Sequence, residues 1–295
     1  MTSDRSAVQI AEVVADLQAG RVIWANGDEE SPQVFETALA QVRQPGPVVD
    51  ATSIYHSLAD NPKPVYIYED HPNIAPPWQR AFIGYVNEHG NVIVLHILSE
   101  EISSKDRIKR WDTADDIDWS EVRWATQVTV WIGGRSNNLN KNIPTMGPLH
   151  IWLHAVGSKG TPLDIRWIKL QDHYPLENWD MANLVVLGAL NYMNCRNVDI
   201  VEPLRPRAEA RRIAKTGVRV SVINVFPVGK STRSNGEVKT KGVPLTSVRG
   251  HFSHYGPDYG KGLLFGKLTG RFWIPQHARG DKELGEIRHD YVLKP

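Results

Sequence analysis

Apolar residues recur with helical spacing in four segments of the chain, and each segment predicts a helix. Residues 7–19 show this spacing, and Ser31–Pro32 begins a second segment that runs to about Gln44. Residues 177–193 have the strongest pattern, with an apolar surface wide enough for a mostly buried helix. Residues 207–215 predict a shorter, basic helix.

Between these helical segments, apolar runs and alternating patterns predict strands. Segments 82–86 and 92–98 flank Asn-Glu-His-Gly-Asn, and segments 149–156 and 163–170 flank Gly-Ser-Lys-Gly, so both pairs predict hairpins. Most links are too short for a helical crossover, which favours an antiparallel meander of about five strands. The predicted fold class is α+β, with this meander packed against the long apolar helix and a C-terminal β-hairpin region.

Charge divides the chain into two halves of opposite sign. Residues 201–295 contain 18 Lys and Arg but 8 Asp and Glu, a net charge of +10, whereas residues 1–200 carry a net charge of −9. We therefore predict an acidic α+β region over 1–200 and a basic, β-rich region over 201–295. The basic region could bind a polyanion, or the two halves could attract each other within one domain.

Cysteine content and hydropathy exclude two classes of protein. Cys195 is the only cysteine, so the chain cannot form an intrachain disulfide, and a reducing compartment is favoured. The longest apolar run is too short to span a bilayer. We therefore predict a cytoplasmic protein without a membrane partner, located in the host cytoplasm if a phage encodes it, and no sequence pattern calls for a cofactor.

The predicted basic helix carries three cations at a regular interval. Arg207, Arg211 and Lys215 are spaced i, i+4 and i+8, so they share one helix face. Such a stripe can follow the phosphates of a nucleic acid. A solvated surface helix of structural function is the alternative.

The C-terminal segment concentrates histidine, arginine, aromatic residues and glycine. Pairing of residues 245–252 with 271–277 would bring His251 close to His277, which makes these two histidines candidates for a general acid and base, with Arg279 beside them. The residues predicted to contact a nucleic acid or a partner are Arg207, Arg211, Lys215, Arg249, His254, Tyr255 and Arg271.

Three histidines could also bind zinc. The candidates are His251, His254 and His277, but their spacing matches no zinc signature, so no metal site is predicted. A structural or interface role of these histidines remains the alternative to catalysis.

Two segments of this region, Arg-Gly-His-Phe at 249–252 and Ile-Pro-Gln-His-Ala-Arg-Gly at 274–280, resemble the C-terminal signature of proteins from actinobacteriophages and their hosts. The apolar helix and the residues after it, 184–198, are similar in type, so the resemblance covers about a third of the chain. It implies a phage or mobile-element context. No activity is assigned to that family, so the resemblance implies no catalytic residue.

Three functional hypotheses follow. The first is a phage accessory protein that binds nucleic acid or a host protein through its basic C-terminal third. The second is a hydrolase of nucleic acids or nucleotides that uses His251 and His277 as acid and base. The third is a structural homo-oligomer in which the edge of the C-terminal hairpin pairs with a second copy.

Overall fold

A computed structural model describes most of the chain, in two compact units. The first unit consists of residues 1–194 and 199–224, and the second of residues 195–198 and 225–295. The described residues are 3–24, 32–60, 72–102, 119–136, 141–169, 177–226, 244–248, 250–257, 262–264, 267–274, 277–279 and 281–287.

A mixed sheet of nine described strands forms the centre of the first unit. Its spatial order is β7-β6-β4-β3-β2-β1-β9-β8, and β5 pairs with β4. The strands are β1 (Val48–Asp50), β2 (Arg80–Val86), β3 (Asn91–Glu101), β4 (Val122–Ser136), β5 (Lys141–Met146), β6 (His150–Gly157), β7 (Pro162–Lys169), β8 (Val198–Val201) and β9 (Val220–Val225).

Helices cover both faces of this sheet. Alternate residues of β3 point to opposite faces, and they join two separate core clusters. Ile93, Leu95 and Ile97 pack with two of the helices, while Val92 and Val94 pack with the other three. The helices of the first face are α3 (Thr52–Ala59) and α4 (Glu177–Met193), and those of the second are α1 (Ser3–Ala19), α2 (Pro32–Val42) and α5 (Arg207–Thr216).

The predicted fold class is wrong in its architecture. Strand β1 pairs in parallel with both β2 and β9, so the sheet is mixed, and α4 is one of five described helices. A three-residue strand is too short to show a period in the sequence, and its parallel partners are distant along the chain. The parallel part of the sheet therefore has no local signature, although β2, β3, β4, β6 and β7 are joined by antiparallel pairs.

The elements with strong local patterns are confirmed. Both predicted hairpins form, as β2 with β3 and as β6 with β7. The long apolar helix spans Glu177–Met193, and its buried residues include Val185, Val186 and Leu190. Helix α5 ends at Gly217, whose left-handed φ of 73° is a common helix stop.

The second unit contains five short described strands in two sheets. Strands β10 (Pro244–Val248), β13 (His277–Arg279) and β14 (Asp281–Ile287) form one sheet, and β11 (His251–Tyr255) and β12 (Gly270–Ile274) form the other. Asn197 connects this unit internally. Its Nδ2 donates to the carbonyl oxygens of Trp273 at 2.8 Å and Phe226 at 3.1 Å, and its Oδ1 accepts from the Trp273 amide at 3.0 Å.

In the part of the chain that the structure describes, no helix is long and apolar enough to cross a membrane.

Candidate functional site

The pairing of the C-terminal strands sets the positions of the predicted catalytic histidines. His251 on β11 lies opposite Ile274, and His277 on β13 lies opposite Val248. The two histidines therefore belong to different sheets of the second unit, and strand pairing does not place them opposite each other. The side chains of His277 and Arg279, and Arg249 as a whole, lie outside the described residues, so acid–base catalysis here stays a prediction.

Two of the predicted binding residues, His254 and Arg271, lie directly opposite each other on β11 and β12. Arg271 is only 4% exposed, and its guanidinium carbon lies 4.4 Å from the centre of the Phe252 ring. Tyr255 is half-buried and packs edge-on against Phe272 at 6.0 Å. Arg271 therefore stabilises the interior of the second unit, and it is not available on the surface for a large partner.

Cys195 lies near the same arginine. Burial raises the pKa of the Cys195 thiol to about 11, although the charge of Arg271 and its hydrogen bond to the sulfur act in the opposite direction. The thiol is therefore protonated at neutral pH, and a protonated thiol is a poor nucleophile. This environment is that of a buried structural cysteine.

The cationic stripe on α5 is exposed. Arg207, Arg211 and Lys215 are exposed, whereas Ile213 is the buried residue of the helix. At 100° per residue, the stripe is centred almost opposite Ile213, so it points away from the core cluster that contains Ile213. The exposed residues Ala210 and Ala214 beside it are small, which leaves the cations accessible to a flat partner.

Other cations near the stripe are already paired. Arg212 forms an ion pair with Glu12 at 3.0 Å, and Arg205 forms one with Glu209 at 3.1 Å. By contrast, the three cations of the stripe make no ion pair or hydrogen bond with the described residues. Within the part of the chain that the structure describes, these three members of the predicted binding set are exposed and open to a ligand.

A second site, which we call the β1 crevice, was not foreseen from the sequence. It is a cavity of about 360 Å³ beside the last residue of β1, Asp50. Its lining residues belong to β1, α1, α3, β9, the loop before α5 and the first turn of α5. The lining residues are Ser6, Ala7, Asp50, Thr52, Ser53, His56, Pro203, Leu204, Arg205, Pro206, Glu209 and Val222.

The polar groups of the β1 crevice are held in fixed positions. Asp50 is 8% exposed; its Oδ2 accepts from the Ser6 hydroxyl at 2.6 Å, and its Oδ1 accepts from the Thr52 amide at 3.0 Å. Arg205 pairs with Glu209 and donates to the Val220 carbonyl oxygen at 2.6 Å. This combination of apolar walls and a few oriented polar groups is typical of small-molecule sites.

One signal in the sequence indicates this site in retrospect. The apolar pair Val48–Val49 is followed by Asp50 and then by the hydroxyl residues Thr52 and Ser53. A buried strand that ends in an acidic residue and leads into a helix is the arrangement found where parallel strands bind ligands. The signal depends on recognising a parallel strand of three residues.

Among the described residues, no group of three or more histidine, cysteine, aspartate or glutamate side chains could hold a metal ion. Neither sheet of the second unit nor the β1 crevice therefore offers such a cluster within the part of the chain that the structure describes. Comparisons of the chain with protein families, with curated proteins and with solved structures found no match.

Proposed function

We propose that the protein binds nucleic acid through the exposed cationic stripe of α5. One observation carries this proposal: three cations of α5 are exposed, share one helix face and form no ion pair with the described residues. They are Arg207, Arg211 and Lys215. Arginine and lysine that neutralise phosphates release condensed counterions, which favours binding without any base contact. The stripe therefore supports binding that does not depend on sequence.

The geometry of the helix supports contact with several phosphates at once. Four residues of an α-helix advance about 6 Å, so the three cations extend over about 12 Å. Gly217 ends the helix directly after the stripe, and the side of α5 that carries Ile213 is held in the core. The stripe is thus presented on a fixed, convex surface.

The resemblance to actinobacteriophage proteins gives this proposal a biological setting. A phage accessory protein that binds nucleic acid would meet its ligand in the host cytoplasm. A host protein with an acidic surface is the other partner that the same three cations could contact. Nucleic acid is favoured because the cations are spaced along a line and not gathered around an apolar centre, as protein hot spots usually are.

Fluorescence anisotropy with labelled single-stranded and double-stranded oligonucleotides tests the proposal. Affinity should fall as salt rises from 50 to 300 mM, with a log–log slope of about −2 to −3 for three phosphate contacts. The triple variant Arg207→Gln, Arg211→Gln, Lys215→Gln should lose most of this slope. A matched control variant removes the same charge from exposed positions elsewhere and should retain the salt dependence. It combines Arg43→Gln, Arg123→Gln and Lys159→Gln.

Two results would contradict the proposal. One is the absence of salt-dependent binding to any DNA or RNA, and the other is equal binding by the two triple variants. A host protein that is captured by the native chain and by the control variant, but not by the α5 variant, would replace nucleic acid as the partner of the stripe.

A further inference from the structure

We propose that the β1 crevice binds a ribonucleoside through the neighbouring hydroxyl groups of its ribose. This site is separate from the nucleic-acid contacts proposed for α5, since its polar groups lie in a cavity and the cations of the stripe do not line it. Ligands of mixed and parallel sheets bind beside the carboxyl ends of parallel strands. Asp50 is the last residue of β1, which is parallel to both of its neighbours.

Asp50 has unused capacity as an acceptor. A carboxylate offers about four acceptor sites on its two oxygens. Among the described residues, the Ser6 hydroxyl occupies a site on Oδ2 and the Thr52 amide occupies one on Oδ1, so each oxygen retains a further site toward them. Two adjacent hydroxyl groups of a ligand could donate to these sites in charge-assisted hydrogen bonds, which are shorter and stronger than neutral ones.

The charges in the crevice favour a neutral donor. Arg205 and Glu209 form a pair in which both side chains are about 11% exposed, so they largely neutralise each other. An anionic ligand would meet the Asp50 carboxylate in a place where burial weakens screening, and a cationic ligand would have to lose its own hydration to enter. Hydroxyl groups bind the carboxylate without bringing a second charge out of water.

The walls of the crevice favour a nucleoside over a free sugar. Pro203, Leu204, Pro206, Ala7 and Val222 contribute apolar surface around the polar groups. Leu204 is fully exposed at the mouth, and the hydrogen bond from Arg205 to Val220 holds the loop that carries it. A flat base would cover this leucine and the adjacent prolines, which removes apolar surface from water.

Isothermal titration calorimetry tests the proposal with adenosine, guanosine, cytidine and uridine, each paired with its 2′-deoxy counterpart, and with free ribose. At least one ribonucleoside should bind, and its 2′-deoxy counterpart should bind at least tenfold more weakly. Free ribose should bind more weakly than the nucleoside, because it does not contact the apolar walls.

Variants of the crevice separate ligand binding from folding. Asp50→Asn is isosteric and should reduce affinity at least tenfold, whereas Asp60→Asn, an exposed aspartate after α3, should leave it unchanged. Ser53→Trp fills the crevice from an exposed position, so it should abolish binding even if Asp50→Asn fails to fold. The triple glutamine variant of α5 should bind the nucleoside as the native protein does.

Three outcomes would overturn the proposal: no ribonucleoside binds, the deoxy counterparts bind equally well, or folded Asp50→Asn binds with native affinity. Binding that survives Ser53→Trp would place the ligand elsewhere and would overturn it as well. Free ribose that binds as tightly as any nucleoside would overturn the part of the proposal that assigns the base to the apolar walls.

Discussion

His96 is a titratable side chain with no exposed surface at the centre of the sheet. Neither of its ring nitrogens has a hydrogen-bond partner among the described residues, and its ring lies against Phe82 at 5.0 Å. Burial, with a smaller effect from the charge of Arg80, lowers the pKa of His96 from its ordinary value to about 3. His154 is similar: burial lowers its pKa to about 4, although a hydrogen bond with Asn183 opposes the shift.

These two histidines predict a loss of stability in acid. Below pH 6.5 the unfolded chain binds protons that the folded chain excludes, so the free energy of unfolding falls as the pH decreases toward 4 and 3. Each histidine should contribute a loss of roughly 2 kcal/mol between pH 7.5 and pH 4.5. The variant His96→Leu should lose less stability in acid, by the amount that His96 contributes. Urea denaturation at pH 7.5 and pH 4.5 measures this loss.

The exposed residue His89 supplies the control for this experiment. His89→Leu makes the same replacement at a side chain that is 48% exposed, so it controls for the change of residue type outside the core. At pH 7.5, His96→Leu should be close to neutral in stability, since it removes two buried nitrogens without partners. If His96→Leu loses as much unfolding free energy between pH 7.5 and pH 4.5 as the native protein does, His96 is not the source of the acid sensitivity.

At the scale of elements, the contact of α1 with the sheet depends on Gly84. A β-carbon at Gly84 on β2 would lie 2.6 Å from Cγ2 of Ile10 on α1, which is shorter than any normal contact. Gly84 also lies opposite Asp50 in the parallel pair. The absence of a side chain therefore lets α1 pack closely over β2, next to the strand that ends at the β1 crevice.

A double-mutant cycle tests this close packing. Gly84→Ala should destabilise the protein by about 1–3 kcal/mol through overpacking, and Ile10→Ala by about 2–5 kcal/mol through loss of buried surface. The destabilisation of the double variant should be smaller than the sum of the two single destabilisations by about 1 kcal/mol or more. The reason is that the new methyl group fills part of the space left by Ile10. Urea denaturation of the four proteins measures the coupling.

Gly157→Ala is the matched control, because the nearest atom to its new β-carbon would be at an ordinary 3.5 Å. It should change stability by less than about 1 kcal/mol. Strict additivity of Gly84→Ala and Ile10→Ala would contradict the predicted contact.

Some elements of the fold could be predicted from the sequence, and others could not. Helix α4 and the two hairpins were predictable because their periodic patterns and turns lie within one short segment. Strand β1 was not, because a strand of three residues has no measurable period and its partners β2 and β9 lie about 30 and 170 residues further along the chain. The α5 stripe was readable from its spacing, whereas the β1 crevice depends on the parallel pairing and was missed.

At the scale of the whole molecule, Asn197 connects distant segments of the second unit by hydrogen bonds. It is 8% exposed, and its amide makes three hydrogen bonds to the main chain of Trp273 and Phe226. The sequence gives no sign of this, because Asn197 and Trp273 are 76 residues apart. A polar residue after an apolar helix is more simply read as the end of that helix.

Removal of this side chain should loosen the second unit. Asn197→Ala leaves two carbonyl groups and one amide without their partner, which should reduce stability by about 2–4 kcal/mol. Hydrogen exchange at the Trp273 amide should become faster, with amides of β3 in the first unit as an internal reference. Asn224→Ala, at an exposed position, is the control, and an equal exchange rate at Trp273 in both variants would contradict the role of Asn197.

The division of the chain has a consequence for its synthesis. Residues 195–198 belong to the second unit, but the next residues, 199–224, return to the first, and the rest of the second unit begins at residue 225. On the ribosome, Asn197 therefore emerges long before Trp273, which takes part in two of its three side-chain hydrogen bonds. The hydrogen bonds of this four-residue segment to Arg271 and Trp273 can form only after β12 has left the exit tunnel.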